Sequence, residues 1–253
     1  MIGLIGGSGL TRLSPLEVTG KLHLQTRWGV PSAPLIEGRW QGVPVLFLPR
    51  HGPGHTIAPH RINYRANLWA LKEAGAEVVI ALAATGGIGP GCLPGALVIP
   101  DQIIDYTWGR PSSFFEDEGG EVVHVDFTDP YDAQLRSDLV AAAAAVGQPV
   151  LSFGVYGCTQ GPRLESAAEI RRLARDGCSL VGMTGMPETS LARELGLPYA
   201  CLSIVANHAA GLDPRGAAIS LDDIQKTLAE GVERASLVLA EAVRRIHTRL
   251  SAC

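Results

Sequence analysis

"EVVIALAA", residues 77–84, is an acid followed by an unbroken apolar run. Val78, Val79 and Ile80 are stiff, branched residues that favour extended backbone. The run is short for a helix and has no polar alternation, so it reads as a strand covered on both faces. "AATGG" (83–87) then reads as the strand's end opening into glycines. A sheet buried on both sides needs helices on both sides, which predicts an α/β fold.

Similar runs lie to either side. "MIGLI" (1–5), "VPVLFLP" (43–49), "GALVIP" (95–100), "PVLSFGVYG" (149–157), "SLVGMTG" (179–185) and "PYACLSIVA" (198–206) read as further strands. Helices are expected over 63–73, 132–145, 166–175, 187–194 and 221–250. Gly75, Gly177 and Gly196 stand just past three of them, and Asp132 and Ser220 are placed to cap two others. With no repeat or linker, residues 1–253 read as a single domain with a mixed central sheet flanked by helices.

The 253 residues are 46% hydrophobic with a formal net charge of −4. Lys and Arg are scattered, which argues against a nucleic-acid or anionic-membrane surface. No run reaches the roughly 18 apolar residues of a membrane span, and "MIGLIGGSGL" lacks the basic start of a signal peptide. The five cysteines (92, 158, 178, 201 and 253) are dispersed and odd in number. This suits small buried hydrophobes in a reduced, cytoplasmic protein better than a disulfide framework.

In open α/β sheets ligands sit beyond the carboxyl ends of strands. "GGSG" (6–9) can present backbone N–H groups and the Ser8 hydroxyl to an anion, but Thr11 and Pro15 follow without a strong helix, so a dinucleotide fingerprint is disfavoured. "RHGPGH" (50–55) offers the Arg50 fork and His51 to an oxyanion. The glycines and proline between His51 and His55 break any helix that would make the pair a metal site. Asn207, in "ANHAAGLD" (206–213), carries donor and acceptor for a heterocycle edge, or serves a plain turn. "GPRLES" (161–166) sets Glu165 just past a Gly-Pro turn, as an ordinary first-turn acid or as a carboxylate aimed at a ligand.

Several longer stretches carry a family resemblance: "LPRHGPGHTIAPHRINYRANLWALKEAGA" (48–76), "PGALVIPDQIIDYTWGRPSSFF" (94–115), "HVDFTDPY" (124–131), "GCTQGPRLESAAEI" (157–170) and "GMTGMPETSLARELGLPYACLSIVAN" (182–207). Together they resemble the nucleoside phosphorylase superfamily, in its methylthioadenosine phosphorylase branch. The resemblance implies that phosphate attacks C1′ of a purine nucleoside, with phosphate as co-substrate and no metal or organic cofactor. It implies a phosphate site of Ser8, Arg50, His51, the backbone at Ala83 and Ala84, and Thr184. Ser8 is commonly Thr in the family, and the family's threonine at 83 is Ala here. Met183 would lie against the ribose. His124 would be lent to a neighbouring subunit's sugar pocket, implying a homotrimer or a dimer of trimers.

The resemblance also bears on which base leaves. Members acting on 6-aminopurines have Ser at the position of Glu165 and Asp at those of Asn207 and Ala209, whereas 6-oxopurine enzymes have Glu and Asn at the first two. A 6-oxopurine presents N1–H, which a carboxylate accepts, and O6, which the Asn207 amide serves. Adenine presents an acceptor at N1, leaving Glu165 poorly paired at a cost of roughly 1–3 kcal/mol. Asn207, with Arg50 and His51, is expected to carry catalysis. Leu221 stands where inosine-accepting members have a His for the 5′-hydroxyl, and an apolar residue there suits a thiomethyl group. Gln225 and Leu164 depart from the family pattern. The expected substrate is therefore 5′-methylthioinosine. Broader 6-oxopurine nucleosides and methylthioadenosine are alternatives, as are a non-catalytic nucleoside binder and an NAD-dependent oxidoreductase resting on Gly6–Gly9 alone.

Overall fold

The computed structural model describes residues 1–7, 16–116 and 122–252. Its strands are β1 (Ile2–Gly6), β2 (Leu16–Leu22), β3 (Leu35–Trp40), β4 (Val43–Pro49), β5 (Val78–Gly87), β6 (Leu97–Val98), β7 (Gln102–Asp105), β8 (Val150–Leu151), β9 (Val155–Cys158), β10 (Leu180–Gly182) and β11 (Tyr199–His208). The helices are α1 (Tyr64–Glu73), α2 (Ala133–Ala145), α3 (Ala167–Arg175), α4 (Gly185–Glu194) and α5 (Leu221–Ser251). This is the expected α/β architecture, built on one mixed sheet.

Four of the helices start at a residue whose side chain caps them, and α4 starts without such a bond. The side chains of Asn63, Asp132 and Ser220 accept from the backbone N–H groups of Ala66, Leu135 and Asp223. Ser166 and Glu169 form a reciprocal capping box on α3.

The sheet runs β2-β3-β4-β1-β5-β10-β9-β7, with β11, β6 and β8 branching from β5. Strand β5 is central because its alternate residues feed two cores. Val78, Ile80 and Leu82 join α2 and α5 residues such as Leu139 and Val243. Val79, Ala81 and Ala83 join α1 and α4 residues such as Leu68 and Leu191. Each such fully buried Val, Ile or Leu contributes about 1.5–3 kcal/mol. Helix α5 crosses β11 so closely that a Cβ on Gly231 would stand 2.3 Å from Ile204 Cγ2, which explains a glycine inside a long helix.

Several expectations are corrected. Strands β2, β3 and β7 were not expected: β2 is largely exposed and β7 is short, so neither leaves an apolar run. The run 149–157 divides into β8 and β9, and 95–100 keeps only two strand residues. Residues 83–87 and Asn207 do not lie past strand ends, because β5 and β11 continue through them as paired neighbours. Cys92, Cys158, Cys178 and Cys201 are buried free thiols, and Cys253 lies outside the described residues. Among the described residues, no helix is long and apolar enough to cross a membrane.

Candidate active site

Strand β5 opens the site by changing partners. Along one edge it pairs in parallel with β1 as far as Ala81, then antiparallel with β10 from Gly86. Between these ladders that edge has no strand partner among the described residues. The other edge pairs continuously with β11. A sheet edge without a partner presents backbone N–H and C=O groups for other uses. Here the Leu82 carbonyl accepts from Arg50 Nη1 at 2.9 Å. A cavity of about 450 Å³ lies over this gap, and its wall includes Gly7, Arg50, His51, Ala83, Ala84 and Thr184.

Arg50 follows β4 and is 1% exposed. Its Nε and Nη2 donate to the two carboxylate oxygens of Glu188 at 2.7 and 2.8 Å. Glu188, itself fully buried on α4, also accepts from the Tyr199 hydroxyl at 2.7 Å. Burial opposes the Arg50 charge, but Glu188 outweighs it and the guanidinium is held more firmly protonated than usual. Burial, reinforced by Glu188, raises the Tyr199 phenol well above its ordinary range, so it remains a donor. Two Arg50 N–H groups stay unused by these bonds. Gly7 allows the approach: a Cβ there would stand 2.6 Å from the Leu82 carbonyl and 3.0 Å from Arg50 Nη1. Neither Glu188 nor Tyr199 was singled out in the sequence. An acid inside the apolar segment "GMPETSLA" was the available signal.

His51 is fixed by the turn that follows. Ile57 N–H donates to the His51 carbonyl at 3.0 Å, and His51 Nδ1 meets the Ile57 carbonyl at 2.8 Å. Burial, then the nearby Arg50 charge, lowers the His51 pKa to about 4. The ring is therefore neutral near pH 7, with Nδ1–H donating to Ile57 and Nε2 left as an acceptor. Gly52 makes the tight turn at φ +72°, and the His55 ring packs 4.2 Å from that of His51.

The far end of the cavity gathers Glu165, Met183, Asn207 and Ala209. A β-bulge in β11 between Val205 and Asn207 re-aims the strand just before Asn207. Asn207 Nδ2 donates to the His208 carbonyl at 2.6 Å, leaving its second N–H for a ligand. Glu165 Oε1 accepts from the Thr159 hydroxyl at 2.5 Å. Ile219, Ile224 and Leu228 add an apolar wall, and Leu164, 43% exposed, stands at the rim. Arg110 ties the base of this end together by donating to the carbonyls of Thr159, Gln160, Met183 and Met186 at 3.2, 2.8, 2.9 and 2.5 Å. It too escaped the sequence reading.

Two expected residues are not brought to the cavity. Leu221 is 68% exposed at the first turn of α5, and the apolar role falls to Ile219 and Ile224 on either side of it. Gln225 is exposed with it. His124 is exposed and lies outside this cavity. Ser8 lies outside the described residues. Among those residues no cluster of His, Cys, Asp and Glu could hold a metal ion.

Such a cleft, with a buried cation at one end and a carboxylate and an amide at the other, is built for an anion beside a heterocycle. It defines a nucleoside phosphorylase of the pentosyltransferase class. In agreement, the model of the phosphorylase superfamily matches residues 1–244, and the chain belongs to that family.

Particular relatives narrow the branch. The chain is 50% identical to the probable S-methyl-5′-thioinosine phosphorylase of Pseudomonas syringae pv. tomato, covering 95% of this chain and 97% of that one. It is 46% identical to the 6-oxopurine nucleoside phosphorylase of Pyrococcus furiosus, over 83% and 80% of the two chains. The methylthioadenosine phosphorylase of Schistosoma mansoni in complex with adenine superposes with a TM-score of 0.93 at 32% identity, over 97% and 91%.

Proposed function

We propose that the enzyme cleaves 5′-methylthioinosine with phosphate, giving hypoxanthine and 5-methylthioribose 1-phosphate. The observation that carries this reading is the placement of Glu165 and Asn207 in the same cavity as Arg50, beside the apolar Ile219, Ile224 and Leu228. The close likeness to a probable S-methyl-5′-thioinosine phosphorylase supports it.

In this reading phosphate lies over the gap in β5. The two free Arg50 N–H groups donate to its oxygens, and its remaining P–OH donates to His51 Nε2. Strand alternation puts the Ala84 N–H on the same open edge as the Leu82 carbonyl, so it adds a backbone donor. The Ala83 side chain offers no hydroxyl, while Thr184, at the start of α4, and Ser8 supply theirs. As the C1′–N9 bond lengthens, positive charge grows on the ribose ring packed against Met183. The held phosphate stabilises that charge and is positioned to attack C1′. The bond's electron pair leaves with the base, where Asn207 donates a hydrogen bond to the developing anion, which then takes a proton from solvent to give hypoxanthine. Glu165 accepts from N1–H. His124, exposed on the 122–126 segment, completes the sugar pocket of a neighbouring subunit in a trimer. Inosine shares the base edge; the apolar wall favours the methylthio group over a 5′-hydroxyl.

The test is phosphate-dependent base release, scored as kcat/KM, on methylthioinosine, inosine, guanosine and methylthioadenosine. Methylthioinosine should lead by about 100-fold, or about 2.7 kcal/mol. Glu165→Ser with Asn207→Asp should move the preference toward methylthioadenosine. A wild-type enzyme that favours methylthioadenosine overturns the reading.

A further inference from the structure

Glu165 does not hold its own orientation; a second residue presents it. Thr159 lies just after β9. Its hydroxyl faces Glu165 Oε1 at 2.5 Å and the Gly182 carbonyl at 3.3 Å. A carboxylate has no proton to offer, so in the pair with Glu165 the hydroxyl must donate. That short bond is the strong, charge-assisted kind. It occupies one oxygen of Glu165, a residue that lines the main cavity, and leaves the other oxygen to accept from a ligand.

The donor is itself held in place. Thr159 N–H donates to the Gly182 carbonyl at 2.8 Å, and its own carbonyl accepts from Arg110 Nη2 at 3.2 Å. Glu165, by contrast, sits on an irregular stretch before α3, half-exposed, between the main cavity and a smaller one of about 260 Å³. Thr159 itself lines the smaller cavity, where Arg163 is paired with Glu169, so its hydroxyl fixes Glu165 on the wall that the two cavities share.

Resting on the proposed function, we infer that Thr159 is a positioning residue that sets base specificity: its hydroxyl aims Glu165 as a fixed acceptor for N1–H of a 6-oxopurine.

The experiment replaces Thr159 by Val, which keeps the shape and removes the hydroxyl, and by Ser, which keeps the hydroxyl. In Thr159→Val, kcat/KM for methylthioinosine should fall ten- to a hundred-fold, with little change for methylthioadenosine and an unchanged KM for phosphate. Thr159→Ser should restore most of the oxo-to-amino ratio. A merely structural role would lower both substrates together, or raise the phosphate KM as well, and either result overturns the inference. An unchanged ratio in Thr159→Val overturns it too. These outcomes are separable from failure of the proposed function, which shows in the wild-type enzyme as a preference for the 6-aminopurine. If Thr159→Val does not fold, a Thr159→Ser enzyme with the low ratio expected of the valine variant refutes the inference.

Discussion

The two ends of the cavity are built on different terms. At the phosphate end, Arg50, Glu188 and Tyr199 form a closed, buried network in which every bond crosses between elements of the core. At the base end, Glu165 and Asn207 are half-exposed, make local hydrogen bonds and border further cavities. The contrast teaches which end of the cavity tolerates change. A buried charge network tolerates almost no change, because removing one partner strands the other. The half-exposed end can be altered one contact at a time. The phosphate end therefore suits a step common to a superfamily, and the base end suits discrimination among its substrates.

The sharpest way to break the contrast is Glu188→Ala. It leaves the Arg50 charge buried and unpaired, which should cost about 3–5 kcal/mol. Urea midpoints at fixed protein concentration would show it, with a raised KM for phosphate in whatever enzyme remains folded. A variant as stable as wild type would mean that the buried pair is not what holds this end.

Somewhat smaller is the acid sensitivity of His51. Its pKa is lowered from 6.5 to about 4 by burial and by Arg50. A histidine buried neutral binds its proton more readily when unfolded. Its contribution is therefore complete above pH 6.5, declines as pH falls toward 4, and is constant below that. The loss is at most about 3 kcal/mol. His51→Asn keeps a donor for the Ile57 carbonyl and cannot titrate. Its stability should fall less steeply than wild type between pH 6.5 and 4, read as Tm against pH. Parallel curves would count against a buried, neutral His51.

The smallest effect lies at the apolar wall. Truncating Ile224 to Ala should lower kcat/KM for methylthioinosine about ten-fold, within the roughly 1–3 kcal/mol that small apolar changes in a pocket carry. Leu221→Ala should leave it nearly unchanged, since Leu221 faces away. If the two variants exchange roles, Leu221 turns inward when substrate binds, and the apolar wall has been placed one turn wrongly.

How much was legible beforehand follows from where the signals live. Strand β5 announced itself, because burial on both faces demands an unbroken apolar run. Two helix starts were equally plain, since Asp132 and Ser220 cap with their own side chains, whereas Asn63 and Ser166 cap helices they were expected to lie inside, and α4 begins at Gly185, before the expected 187, without a side-chain cap. Strand β2, exposed along most of its length, carried no such mark. At the site, Arg50, His51, Glu165 and Asn207 were found as polar residues in motif-bearing stretches. Glu188 and Arg110 were missed because each works through groups distant in sequence.

What the sequence by itself determined is therefore local and chemical: an α/β chain, two of its caps, and a set of polar side chains that the proposed function assigns to phosphate and base. Periodicity and capping are energies of neighbouring residues, and they can be read along a line. Only the tertiary structure decided that Arg50 is paired with a carboxylate 138 residues away, that β5 changes partners to open an edge, and that Leu221 points outward while Ile219 and Ile224 line the wall. Those choices depend on which elements share a core. Burial raises the energy of an unpaired charge enough to select its partner wherever in the chain that partner lies.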